Sequence, residues 1–207
     1  MLIDNSTFKL PINNFIPISN KKNQIVIGNT CNTDMKHYIG WIKRYNGNYK
    51  KTAAYTIDLK GNIFQHFQPE FSSNMMGNYD VDKQIILILL ENEGYLTQDE
   101  DKKNFYTWFG NIYNRKQNIV LKRWRGHTYW VPYTIKQKDV CVELCKQLCS
   151  DFNIEKQVIS YNTKIDNFSS TYGILYKSNY SLAYTDVSPA WDFDYFKDKI
   201  ESTNNKI

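Results

Sequence analysis

The chain has 207 residues, 42% of them hydrophobic and 23% charged, a balance that suits one domain with a substantial core and excludes a disordered chain. Its net charge of +5 comes mostly from lysine, the only arginines being Arg44, Arg115, Arg123 and Arg125. Those charges are scattered among acids such as Asp99, Glu100 and Asp101, which argues against nucleic acid as a partner, because such binders gather arginine on one face.

Met1 to Asn5 has neither a basic start nor a continuous apolar run, so no signal peptide is expected. Residues 1–23 are polar and carry Pro11 and Pro17, which reads as an irregular N-terminal arm that orders on a neighbour. Gln24 to Gly28 is a short apolar run ending at glycine, a buried strand. A helix is expected from Asp34 to Tyr45. Ala53–Leu59 and Asn62–Phe67 flank Lys60-Gly61, which predicts a hairpin. Lys83 to Leu90 holds the longest apolar stretch, Ile85–Leu90. It falls far short of the roughly 20 residues a membrane span needs, so a central strand is expected there.

Phe105 to Tyr113 reads as a helix weakened by Gly110. Lys136 to Phe152 is the clearest helix, with Val140, Leu144 and Leu148 sharing a face with Cys141, Cys145 and Cys149. Residues at i and i+8 stand about 12 Å apart along a helix, too far to share one metal ion. Reduced cysteines in a core stripe, in a reducing compartment, are the better reading. Val158–Tyr161 is expected to be the last strand and Asp192–Ile200 the last helix. The fold class is α/β: a single domain over residues 24–200, with a central mixed β-sheet flanked by helices, an arm at 1–23 and a frayed tail at 201–207.

Five stretches, in order, resemble the N-acetylmuramoyl-L-alanine amidases, the group that includes phage lysozyme-type amidases and peptidoglycan recognition proteins. Ile25–Thr30 is similar to that family's first strand, I-V-x-H-H-T. Ala53–Ile63 is similar to its S-A-H-Y-x-I-D-x-D-G-x-I hairpin, and Ile85–Asn92 to S-I-G-I-E-L-E-N. Val158–Asn162 is similar to V-I-G-H-N, and Tyr184–Phe193 to K-T-D-P-G-P-A-F-D-W. The resemblance implies an amidase-like fold, encoded by a bacteriophage. It also implies a site in which three protein ligands hold zinc, the metal activates water and a nearby acid assists proton transfer.

The matched positions depart from that chemistry. The first ligand falls on Gly28, or on Asn29 with a slip of one residue; the second falls on Tyr161 and the third on Asp186. The proton-transfer acid falls on Leu89 and the oxyanion lysine on Tyr184. His37, His66 and His127 all lie outside the matched ligand positions. Read without the resemblance, Asp186 is a cap for the segment that follows it. The expectation is a degenerate site with no metal, no cofactor and no catalytic residue.

The reading that follows is a catalytically inactive amidase-fold protein, a structural or assembly component of a phage particle in its tail or hub region. It would be made in the host cytoplasm and become virion-associated, its partners being other proteins of the assembly. Arg123, Trp124, Arg125, Tyr129 and Trp130 are its candidate interface residues, being the types that dominate interface hot spots. One alternative is a peptidoglycan-binding module using Asn29, Tyr55, Tyr161 and Asp186. Another is an active zinc endolysin with Glu91 or Glu93 as the acid.

Overall fold

This computed structural model describes residues 1–116 and 118–202. Its strands are β1 (Ile3–Asp4), β2 (Gln24–Asn29), β3 (Tyr55–Ile57), β4 (Ile63–Gln65), β5 (Ile85–Leu90), β6 (Tyr95–Gln98), β7 (Phe105–Thr107), β8 (Val120–Trp124), β9 (His127–Trp130) and β10 (Gly173–Tyr176). Its α-helices are α1 (Lys36–Lys43), α2 (Tyr79–Asp82), α3 (Ile135–Phe152), α4 (Lys177–Tyr180) and α5 (Phe193–Glu201).

The main sheet runs β1-β4-β3-β5-β2-β10. Only the β3–β4 pair is antiparallel, so the sheet is mixed. Every residue of β2 and β5 is buried, which is why both read as unbroken apolar runs rather than alternating ones. The register is continuous across the centre, with Gly28 beside Leu89 and Tyr176 beside Ile27. Helix α3 packs against β2, β3 and α5. Its start is fixed by a reciprocal cap in which Gln137 N–H donates to Thr134 Oγ1 and Thr134 N–H donates to Gln137 Oε1, both at 3.1 Å. Cys141, Cys145 and Cys149 are free and buried on its inner face, so the stripe is packing.

Three expectations need correction. Residues 1–23 are not a free arm. β1 pairs with β4, Leu10 and Phe15 enter the core, and Asn14 Nδ2 donates to the carbonyls of Trp41 and Tyr49. The buried Lys22 ammonium, donating to the carbonyls of Phe71 and Lys83, fastens the end of the segment. Residues 105–113 are not a helix. The aromatic and β-branched run Phe105-Tyr106-Thr107 forms β7, and Gly110, at φ +75°, turns the chain back. This hairpin belongs to a second, antiparallel sheet, β7-β6-β9-β8. Finally, Val158–Tyr161 is not the last strand; it makes a single bridge, Val158 to Ile174. The strand that closes the sheet on the outer side of β2 is β10, fifteen residues later, a four-residue apolar run too short to announce itself. The tail's residues 203–207 lie outside the described residues, and Glu201 closes α5.

Candidate functional site

Three positions converge at the carboxyl ends of β2 and β10. Gly28 lies in β2, Lys177 follows β10 directly, and Asp186 returns from the loop after α4. The Lys177 ammonium stands 3.0 Å from Asp186 Oδ2, and both side chains are largely buried. The same oxygen accepts the Asn29 N–H at 3.0 Å. Burial works against the Lys177 charge, but the charge and hydrogen bond of Asp186, with Cys31 and Tyr184 adding to them, together raise the lysine's pKa above its ordinary value. Tyr184 supplies an aromatic face 4.7 Å from the ammonium.

Glycine at 28 answers to space. A Cβ there would lie 2.5 Å from Lys177 Cδ, 2.7 Å from Asp186 Oδ2 and 3.1 Å from Leu89 Cδ2. Leu89 is itself buried and turned to the same point. Cys31, just past β2, feels both charges, and burial pushes its thiol up to about 11, so it stays protonated. A groove of about 720 Å³ opens beside it, with Thr33, Glu93 and Phe109 among its walls.

The loop joining Lys177 to Asp186 is held from outside. Arg125, at the β8–β9 turn, donates to the carbonyls of Ser178, Ser181 and Tyr184. Its guanidinium also lies 4.5 Å over the Trp124 ring. Trp124 Nε1–H donates to Asn162 Oδ1, and Trp130 is fully buried. Of the candidate interface stretch, Arg123 is exposed and Tyr129 half-buried, while Trp124, Arg125 and Trp130 are engaged within the chain.

Solved structures share this fold. A mutant form of PlyL matches at 14% identity with a TM-score of 0.56, covering 98% of this chain and 100% of the other. The N-acetylmuramoyl-L-alanine amidase LysC from Clostridium intestinale URNW matches at 15% identity and a TM-score of 0.55, over 98% and 99%. The catalytic domain of XlyA matches at 16% and 0.54, over 97% and 99%. The chain has the N-acetylmuramoyl-L-alanine amidase fold. No protein-family model matches the sequence, and no curated protein does.

Within the amidase fold, the sequence placed Gly28, Leu89, Tyr184 and Asp186 at one centre, and the structure brings these four together. Tyr161 does not join them. Its ring stacks on Phe193 at 3.8 Å and lies 5.6 Å from Trp124, and Lys177 stands beside Gly28 instead. Sequence reasoning missed Lys177 because Val158–Asn162 imitates the family's strand. The signal was present: Ile174-Leu175-Tyr176-Lys177 is also an apolar run ending in a polar residue, and it lies nearer Asp186.

Other candidates have different duties. Asp186 caps no helix; Asp192 does, accepting the Tyr195 N–H at 3.1 Å. Asn29 is buried, with Oδ1 accepting from the Tyr133 hydroxyl at 2.6 Å, and Tyr55 is buried in the core, so neither lines an open groove. Glu91 Oε1 accepts the Met35 N–H ahead of α1, and Glu93 pairs with Arg115.

The zinc that the resemblance implies does not fit these residues. Gly28 offers no donor, Lys177 presents a protonated amine, and only Asp186 could ligate, whereas a catalytic zinc site uses three ligands. Among the described residues, no group of three His, Cys, Asp or Glu side chains is placed to hold a metal ion.

His37 and His66 meet elsewhere, both hydrogen-bonded through Nε2 to Thr56 Oγ1, at 3.0 and 2.9 Å. His66 Nδ1–H donates to the Phe8 carbonyl at 2.8 Å, so its Nε2 accepts from the Thr56 hydroxyl. Thr56 then accepts from His37 Nε2–H, which leaves His37 Nδ1 buried without a partner. Burial lowers His37 to about 3 and His66 to about 4, so both are neutral at pH 7.

Proposed function

We propose that this chain is an amidase-fold protein that does not hydrolyse peptidoglycan and serves as a structural component of a larger assembly, a phage particle in its tail or hub region. The observation that carries the reading is the buried Lys177–Asp186 ion pair against Gly28. An amidase needs an electrophile-activating metal and a proton carrier at that point; here a lysine ammonium and the apolar Leu89 face it. Arg125 supports the same reading, because its bonds to three carbonyls hold the loop closed over the pair.

Protein neighbours are the proposed partners. The surface best suited to meet them is the β7 hairpin tip, where Trp108 and Phe109 are 61% and 58% exposed and Ile112 stands beside them. Large exposed aromatics of this kind act as interface anchors. A second reading, a zinc-dependent endolysin, is favoured by the fold likeness alone.

Incubating the purified chain with peptidoglycan, with and without added zinc, separates the two. No release of stem peptide above background is expected. Zinc-dependent turnover that survives repurification and is lost in Asp186→Asn would establish the endolysin reading instead.

A further inference from the structure

We infer that Lys177 is a resident cation, its ammonium standing in for the metal while its stem fills the volume that glycine at 28 leaves open. The inference rests on the reading of this centre as a non-hydrolytic one and adds what occupies it and why two residues depart from the amidase pattern together.

Gly28 sits inside a regular strand, with its neighbours Ile27 and Asn29 both paired to β5, and its backbone demands no glycine. Space does. Lys177 Cδ and Asp186 Oδ2 both come closer to a Cβ at 28 than non-bonded atoms are found, at 2.5 and 2.7 Å. A lysine stem could normally swing aside, but this one is held at its far end by Asp186 and the Tyr184 ring. A side chain at 28 and a lysine at 177 therefore exclude each other. Any residue larger than glycine must break the ion pair or push the β10 end away from β2.

The charge follows the same logic. Asp186 is buried, and its Oδ2 already accepts the Asn29 N–H. A buried carboxylate left without a cation is strongly destabilising. Lys177 supplies that cation from the chain, adjacent to the strand end, with no metal required. Through Asp186, which also accepts the Asn29 N–H, the pair ties the end of β10, the end of β2 and the 177–186 loop into one unit.

The test is a double-mutant cycle read by melting temperature. Gly28→Ala and Lys177→Ala should each lower Tm by about 5 °C or more, and the double variant should fall well short of the sum, because Lys177→Ala removes the nearer clash and releases Asp186 from the ammonium that holds it against position 28. Lys177→Met keeps the stem and removes the charge, so Gly28→Ala should remain damaging in that background. Gly28→His with Lys177→His, beside Asp186, should gain a zinc-dependent rise in Tm that the wild type lacks. Additive effects in the cycle would overturn the inference, as would a zinc-dependent rise in the wild type that Asp186→Asn abolishes. Should Gly28→Ala fail to fold, the wild-type chain still decides through reductive methylation of its lysines. Lys177 should resist labelling with and without zinc, and labelling that appears on adding zinc would mean that the metal displaces it. Additivity without hydrolysis sinks this inference alone, whereas hydrolysis by the wild type sinks the functional reading beneath it.

Discussion

At the scale of single residues, buried polar groups set the behaviour to be measured. His37 and His66 are neutral in the fold, with pKa values of about 3 and about 4, against about 6.5 for unfolded histidine. Because the folded values are depressed, the unfolded chain binds protons first as pH falls. The stabilisation is complete above about pH 6.5 and is lost as pH drops toward 4. Linkage gives roughly 2 kcal/mol per histidine between pH 7 and pH 5. Denaturant midpoints at those two pH values should differ accordingly, and His66→Phe should shrink the difference. Arg125 offers a second check. Arg125→Ala removes a charged donor from the carbonyls of Ser178, Ser181 and Tyr184, a loss of roughly 2 kcal/mol. Hydrogen exchange should accelerate in residues 177–186 before it does in β2 or β5.

At the scale of elements, the N-terminal segment and the β7 hairpin are expected to behave oppositely. Residues 1–23 carry β1, the core residues Leu10 and Phe15 and the clamp at Lys22. Removing residues 2–20 should therefore unfold or severely weaken the isolated chain, and Leu10→Ala alone should cost about 2–5 kcal/mol in chemical denaturation. Trp108 and Phe109 pack on little besides each other, their rings 5.5 Å apart. Changing both to serine should move stability by less than about 0.5 kcal/mol. On the proposed structural role, the same change should impair incorporation into a phage particle, as read by co-purification. Intact incorporation would exclude the tip as the contact.

At the scale of the whole molecule, the amidase fold persists at 14–16% identity to the solved structures, and its centre holds Gly28, Lys177 and Asp186. A core tolerates substitution wherever volume and apolar pattern are kept; a catalytic centre does not, because its ligands act as a unit. The melting temperature should accordingly be the same in EDTA and in zinc, since the Lys177–Asp186 pair already neutralises the centre. A clear loss of stability on chelation would show that a metal contributes.

The sequence by itself determined the elements whose signal is local. β2, β5 and α3 are continuous apolar runs or a periodic stripe, and the β3–β4 hairpin is written in Lys60-Gly61. The resemblance also set Leu89 and, up to a slip of one residue, Gly28 apart from the amidase pattern and kept Asp186 within it. Only the tertiary structure decided the rest. Residues 105–113 became a strand because a second sheet was there to pair with them, and residues 1–23 folded because β4 offered an open edge. Lys177 and Gly28 lie 149 positions apart, and neither is remarkable in its own neighbourhood. Parallel pairing of β10 with β2 brings them together, and the distance across that pair, not any motif, makes a glycine and a lysine depend on each other.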